Sequence, residues 1–380
     1  MKRIVFALAT AGVVAAVLTV RAAQSPAPLI VHEWGTITTQ HAPDGTPRGR
    51  LNRISASEVL PSFVHRYEPS PTRDKPDKSL TKAPLIAGRP DVTMRLETPV
   101  IYFHTPPGSG SVPPFDVTVR FRGGVLNEFY PDAAPSVDLD VDRATMKMQA
   151  GVIPPSWNGD VLNNYVVGGL LWRGITLKDS APLYRTDSHV WLAPRQVQSS
   201  GVTTKANESE RYLFYRVVAH LDALVQTELA SGEVRLRAPQ HLQWMHAPAM
   251  TIPTLWLLDV RPGGAAAFRE HEAITIARGR ASQELARVSL FAERDYGPEK
   301  LAELRRAMKR SLLAAGLYGD EAEAMLETWK ASYFQTPGLR LFYIVPDEWL
   351  RYFLPITISA PYELKRVLVG RIDLLRGAMN

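Results

Sequence analysis

The chain is predicted to be α+β and predominantly β, with a β-sandwich-like body followed by a C-terminal helical hairpin and short strands. Three observations predict this. Phe115-Asp116-Val117-Thr118-Val119-Arg120-Phe121-Arg122 alternates apolar and polar residues without error, the pattern of a half-buried strand. Many other short apolar runs are broken by Gly and Pro, as in sheet-on-sheet folds. Near Arg294 the apolar spacing changes to the helical one, with Leu301, Leu304, Met308 and Leu312 on one face.

At the N-terminus, Lys2 and Arg3 precede an uncharged run from Ile4 to Val20, and Val20-Arg21-Ala22 offers small residues around a cleavage point. That is the layout of a secretory leader, so residues 1–22 are expected to be removed on export. The expected location is periplasmic or secreted, with an N-terminal membrane anchor if the leader is retained. Cysteine is absent, which excludes disulfides, thiolate metal sites, c-type haem attachment and a lipidated N-terminal Cys. The formal net charge is +6, and removing Lys2, Arg3 and Arg21 leaves +3, with both signs mixed along the chain. No basic stripe of the kind that marks nucleic-acid binding is present.

The β-rich body is expected over 23–293. Val92-Thr93-Met94-Arg95-Leu96-Glu97 alternates, while Val100-Ile101-Tyr102-Phe103 is a continuous apolar run, suited to a strand buried on both faces. Further strands are expected at 29–38, 165–177, 188–193, 211–219, 233–237, 253–260 and 285–291. Residues 66–90 interleave five prolines with charges, and an exposed loop is expected there. A second proline-rich loop spans Thr105–Pro114.

The C-terminal α+β unit is expected over 294–380. Gly297-Pro298-Glu299 opens a helix that Gly316 ends. Asp320 with Glu323 reads as a capping box for a second helix, which runs to about Phe334 and stops at Thr336-Pro337-Gly338. Strands follow at Leu339–Val345, Ile356–Ser359 and Arg366–Ile372.

Soon after the expected cleavage point comes Val31-His32-Glu33-Trp34-Gly35-Thr36. On a strand, His32 and Trp34 share one face and Val31 and Glu33 the other. His32 and Glu33 are the candidate catalytic pair, since an imidazole beside an acid suits acid–base or ligand chemistry. Packing of the aromatic pair as core is the competing reading. Trp34, Glu97 and His104 are the candidate binding residues.

This opening and Leu96-Glu97-Thr98-Pro99-Val100-Ile101-Tyr102-Phe103 resemble two signatures of an uncharacterised family of exported bacterial proteins that carry an N-terminal HEWGT motif. Thr336-Pro337-Gly338-Leu339-Arg340 and Val369-Gly370-Arg371 are similar to the same family. Ile37 and His104 depart from it, standing where aromatics are expected. The resemblance implies export and a shared fold, and it transfers no catalytic residue.

Motifs with a defined chemistry fail one by one. His32-Glu33 and His271-Glu272 each begin H-E-x-x-H, but Thr36 and Thr275 replace the second His. His241 and His246 share neither a helical face nor a strand face. Asp138, Asp140 and Asp142 imitate a calcium loop, yet Arg143 replaces its turn Gly and Gln149 its closing Glu. There is no G-x-S-x-G elbow, P-loop or dinucleotide fingerprint. No metal and no cofactor are therefore expected. Arg305, Arg306, Lys309 and Arg310 line one helix face, suited to an anionic envelope polymer or membrane surface, although such a face is usually only the solvated side of a helix.

Two readings follow. The motif failures favour a non-catalytic exported protein acting in binding or envelope structure. The alternative is an exported hydrolase with a His/carboxylate site gathered around His32 and Glu33 near the mature N-terminus. Whether the chain is an enzyme stays open at this stage.

Overall fold

Residues Leu29–His41 form strand β1, and nearly every one of them is buried. A strand buried on both faces needs partners on both edges and cover on both sides, and the rest of the fold supplies them. The computed structural model describes residues 28–51, 59–67, 91–106, 111–139, 165–178 and 182–375. The leader, most of the proline-rich stretch 66–90, the centre of the loop Thr105–Pro114, and Asp140, Asp142, Arg143 and Gln149 lie outside the described residues.

The strands along the main path of the principal sheet are β1, β2 (Met94–His104), β3 (Phe115–Arg122), β4 (Gly124–Tyr130), β5 (Val166–Leu177), β6 (Leu213–Ala219), β7 (Leu255–Val260), β8 (Ala266–His271), β9 (Gly338–Ile344), β10 (Ile356–Ile358) and β11 (Tyr362–Leu374), with four further strands paired off this path. They lie in the order β8-β7-β9-β11-β1-β2-β6-β4-β5-β3-β10, and the sheet is mixed. The fold is therefore α+β and predominantly β. Its central pairing is parallel: β1 runs alongside β11, with Glu33 opposite Arg366 and His32 opposite Lys365. The first described strand and the last thus sit side by side. The change of composition near Arg294 does not separate two sheets, because β9 and β11 lie between β7 and β1.

Alternation across the strands sorts side chains into two layers. Val31, Ile101, Phe103, Leu341 and Leu368 face one core with Trp349 and Leu350 of helix α4 (Asp347–Phe353). Trp34, Val100, Tyr102, Phe342 and Val367 face another. Both layers are apolar, so Val100–Phe103 reads as an unbroken apolar run, as a doubly covered strand should.

The second layer is closed by the C-terminal hairpin. Helix α2 (Lys300–Ala314) contributes Leu304, Met308 and Leu312, as its periodicity predicts. Helix α3 (Gly319–Thr328) contributes Met325, and Trp329 and Tyr333 follow it. Between the helices, Leu317 N–H donates to Leu312 O and Gly316 N–H to Leu313 O, a Schellman stop. Gly316 takes φ +110°, and a Cβ there would lie 2.8 Å from Lys365 Cδ. A non-glycine residue would be strained there by the positive φ, while the lysine side chain could move aside.

Glycine is also required within the opening motif. β1 and β2 shift register between Trp34 and Thr36. At this bulge a Cβ on Gly35 would approach Pro99 Cα to 2.9 Å. The two signatures of the sequence, HEWGT and LETP, thus meet across one strand pair.

Four local expectations are corrected. Residues 188–193 are not a strand: His189–Leu192 form the short helix α1, and its consecutive Val190 and Trp191 are both buried. Two adjacent residues cannot both face one side of a strand, and Pro194 then ends the turn. Helix α2 begins at Lys300, two residues after Pro298. The cap of α3 is not Asp320 with Glu323. Tyr318 is the N-cap residue, and the Glu321 carboxylate accepts from its backbone N–H at 2.7 Å. The helix itself ends at Thr328, and Ala331–Gln335 form a wider π turn.

Candidate functional site

The cap of α3 brings a carboxylate onto the sheet. His32 on β1 stands opposite Tyr102 on β2, which puts His104 on its diagonal and on the same face. Glu321, at the first turn of α3, descends onto this pair. His32 Nδ1 lies 2.7 Å from Glu321 Oε2, and His104 Nε2 lies 2.9 Å from Glu321 Oε1. Three distant segments therefore converge on one carboxylate.

Glu321 is fully buried, His32 nearly so, and His104 has 12% of its side chain exposed. The site is thus closed from below and approached from the His104 side. The Tyr318 ring packs over both imidazoles, with centroids 4.5 Å from His32 and 4.9 Å from His104. Tyr318 itself is 43% exposed.

Burial alone would push the Glu321 carboxyl up. Hydrogen bonds from His104, His32 and the Tyr318 N–H outweigh it and hold the group down to about 2. An ionised carboxylate only accepts, so both imidazoles donate to it here.

The donor atoms of His32, His104 and Glu321 all lie within 4.8 Å of one another. Two imidazoles and a carboxylate are a common ligand set for zinc, with bonds of about 2.0–2.2 Å. In a tetrahedral site of that size, ligand atoms stand about 3.4 Å apart. A cation would therefore replace the two hydrogen bonds, part each imidazole from the carboxylate by roughly half an ångström, and draw together the most distant donor atoms, now up to 4.8 Å apart.

Of the residues singled out in the sequence, His32 and His104 are brought together and Glu33 is not. Glu33 points to the opposite face and is buried against Arg366 and Tyr215. Trp34 shares the face of His32 but is fully buried, its ring 6.1 Å from that of Tyr102. Glu97 is buried beside Arg95 at 3.7 Å. His241 is exposed beside Asp222, and His271 Nδ1 contacts the carbonyl of Glu272. Asp138 forms an exposed pair with Arg120.

Glu321 was not singled out in the sequence. Its signal was its place three residues after Tyr318 at a helix start, the capping-box position at which an acid turns back toward the preceding chain.

The basic helix face is partly neutralised. Arg305 pairs with Glu323 and Glu327, and Lys309 with Glu323 at 2.8 Å. Arg306 and Arg310 are exposed. Among the described residues no helix is long and apolar enough to cross a membrane.

No family model and no curated protein matches the chain. Among solved structures it is similar to the mu homology domain of zebrafish (Danio rerio) Fcho1 with a bound Eps15 peptide. That likeness has 8% identity and a TM-score of 0.31, over 93% of this chain and 97% of the other. The yeast delta-COP-I mu-homology domain complexed with a Dsl1 WxWxV peptide is similar at 8% identity and a TM-score of 0.27, over 92% and 96%. Scores of this size do not establish a shared fold.

Proposed function

We propose that the chain is an exported protein that binds a divalent transition-metal ion, zinc or a chemical neighbour, through His32, His104 and Glu321. The observation that carries this is the convergence of three ligand atoms from two strands and a helix onto one spot. Ligands mounted on regular elements are held in place before the ion arrives. Imidazole and carboxylate ligands suit zinc, copper, nickel and iron better than calcium or magnesium, which prefer all-oxygen shells.

This reading departs from the absence of metal expected from the broken motifs. Those motifs test only local spacing, whereas His32 and Glu321 are 289 residues apart. It keeps the binding role expected from the sequence, and the leader-like N-terminus supports export.

Calorimetric titration of the chelator-treated protein with zinc tests the site. One ion per chain is expected, with affinity lost in His104→Ala and in Glu321→Gln, both checked for retained fold by circular dichroism. Absence of saturable binding, or equal binding by folded Glu321→Gln, would overturn the proposal. Mass spectrometry of the mature N-terminus tests export, with cleavage near Ala22 expected.

A further inference from the structure

We infer that a metal held by His32, His104 and Glu321 keeps one coordination position open to solvent beside Tyr318, and that this position takes a small anion. The inference rests on the metal-binding reading and goes beyond it by naming the external ligand.

Four observations carry it. First, among the described residues the group of potential ligands numbers three: His32, His104 and Glu321. Zinc in structural sites is closed by four protein ligands, whereas three ligands and a free position mark a site that receives water or an external group.

Second, the site is exposed on one side only. The side chains of Glu321 and His32 are 0% and 5% exposed, while that of His104 is 12% exposed and the neighbouring Tyr318 is 43% exposed. The free position therefore faces the partly exposed His104 side of the site, beside Tyr318.

Third, no structural need for the metal is visible. The hairpin that carries Glu321 is already docked by Leu304, Met308, Leu312, Met325 and Trp329, all essentially buried. Apolar burial of that kind seats the hairpin through its own packing.

Fourth, charge selects the ligand. One carboxylate and two neutral imidazoles leave a divalent ion with a net positive charge inside a largely buried site. Desolvated positive charge favours an anion over a neutral donor.

Cobalt substitution tests this, because the visible bands of bound Co(II) change when its coordination shell changes. Full-length mature protein loaded with one equivalent of Co(II) is titrated with acetate, with its neutral isostere acetamide at equal ionic strength as the control. The expected result is a saturable one-to-one spectral change with acetate and none with acetamide. A bound-cobalt spectrum indifferent to acetate would mean a closed shell and would overturn this inference while leaving metal binding intact. Failure of cobalt to bind at all overturns both.

Discussion

Glu33 and Arg366 stand directly opposite each other on parallel strands and form a buried ion pair, with Arg366 Nη2 2.6 Å from Glu33 Oε2. Tyr215 donates to the other carboxylate oxygen, and Arg366 Nη1 donates to the carbonyls of Leu350 and Leu354 at the end of α4. The pair thus ties the first described strand, the last strand and a helix end at one point. The acid beside His32 in the opening motif serves the fold from the face opposite the site.

Glu33→Gln should therefore be costly. Removing one charge of a buried pair leaves the other uncompensated, at about 3–5 kcal/mol. Urea unfolding should show a loss of this size, while zinc stoichiometry of the folded fraction stays at the wild-type value. An unchanged urea midpoint would contradict the structural role.

Trp34→Ala deletes a fully buried indole beneath the hairpin. The expected loss is about 3–5 kcal/mol, the usual cost of a large aromatic truncated in a core. Thermal melts beside wild type check it, and a melt superimposable on wild type would contradict the packing assigned to this residue.

The strands that the sequence displays are those whose environment differs between faces or is apolar on both. Phe115–Arg122 alternates because one face meets the core and the other is more open. Val100–Phe103 is continuous because both faces are covered. The helical turn at His189–Leu192 was hidden because four residues are too few to show a period. The parallel pairing of β1 with β11 joins segments more than three hundred residues apart, which no local pattern encodes. The same applies to the site. His32 and His104 stood out as polar residues in apolar strands, but Glu321 sits in a run of acids, Asp320, Glu321 and Glu323, of which only the fold selects one.

Gly316→Ala probes the corner that aims Tyr318 and Glu321 at the sheet. A left-handed position costs a non-glycine residue about 1–2 kcal/mol, and a new Cβ there would also push the Lys365 side chain aside. A lower urea midpoint is expected together with weaker zinc binding, because the shift displaces the Glu321 carboxylate. Wild-type zinc affinity in this variant would show that the corner does not set the site.

Zinc should also raise stability by mass action. A ligand at one hundred times its dissociation constant contributes about 2.7 kcal/mol if it binds only the folded chain. The melting temperature should rise with zinc and return with chelator, and Glu321→Gln should abolish the rise. A rise retained in that variant would place the ion elsewhere.

His41 gives the fold a defined sensitivity to acid. At the far end of β1 it is buried, with Nδ1 2.7 Å from the Thr227 hydroxyl, and desolvation lowers its pKa to about 4. In the unfolded chain an imidazole titrates near 6.5. Above that value both states are neutral and His41 adds no pH dependence. Between about 6.5 and 4 the unfolded chain binds a proton that the folded chain refuses, so stability falls as pH falls. The slope approaches about 1.4 kcal/mol per pH unit, a total near 3 kcal/mol over the window. Urea midpoints at closely spaced pH values from 7.5 to about 4 should trace this decline on top of the contributions of other groups. His41→Gln should be less stable at neutral pH, since it disturbs a buried hydrogen bond, yet its profile should be flatter through the same window. Parallel profiles for the two proteins would show that His41 is not the group that titrates.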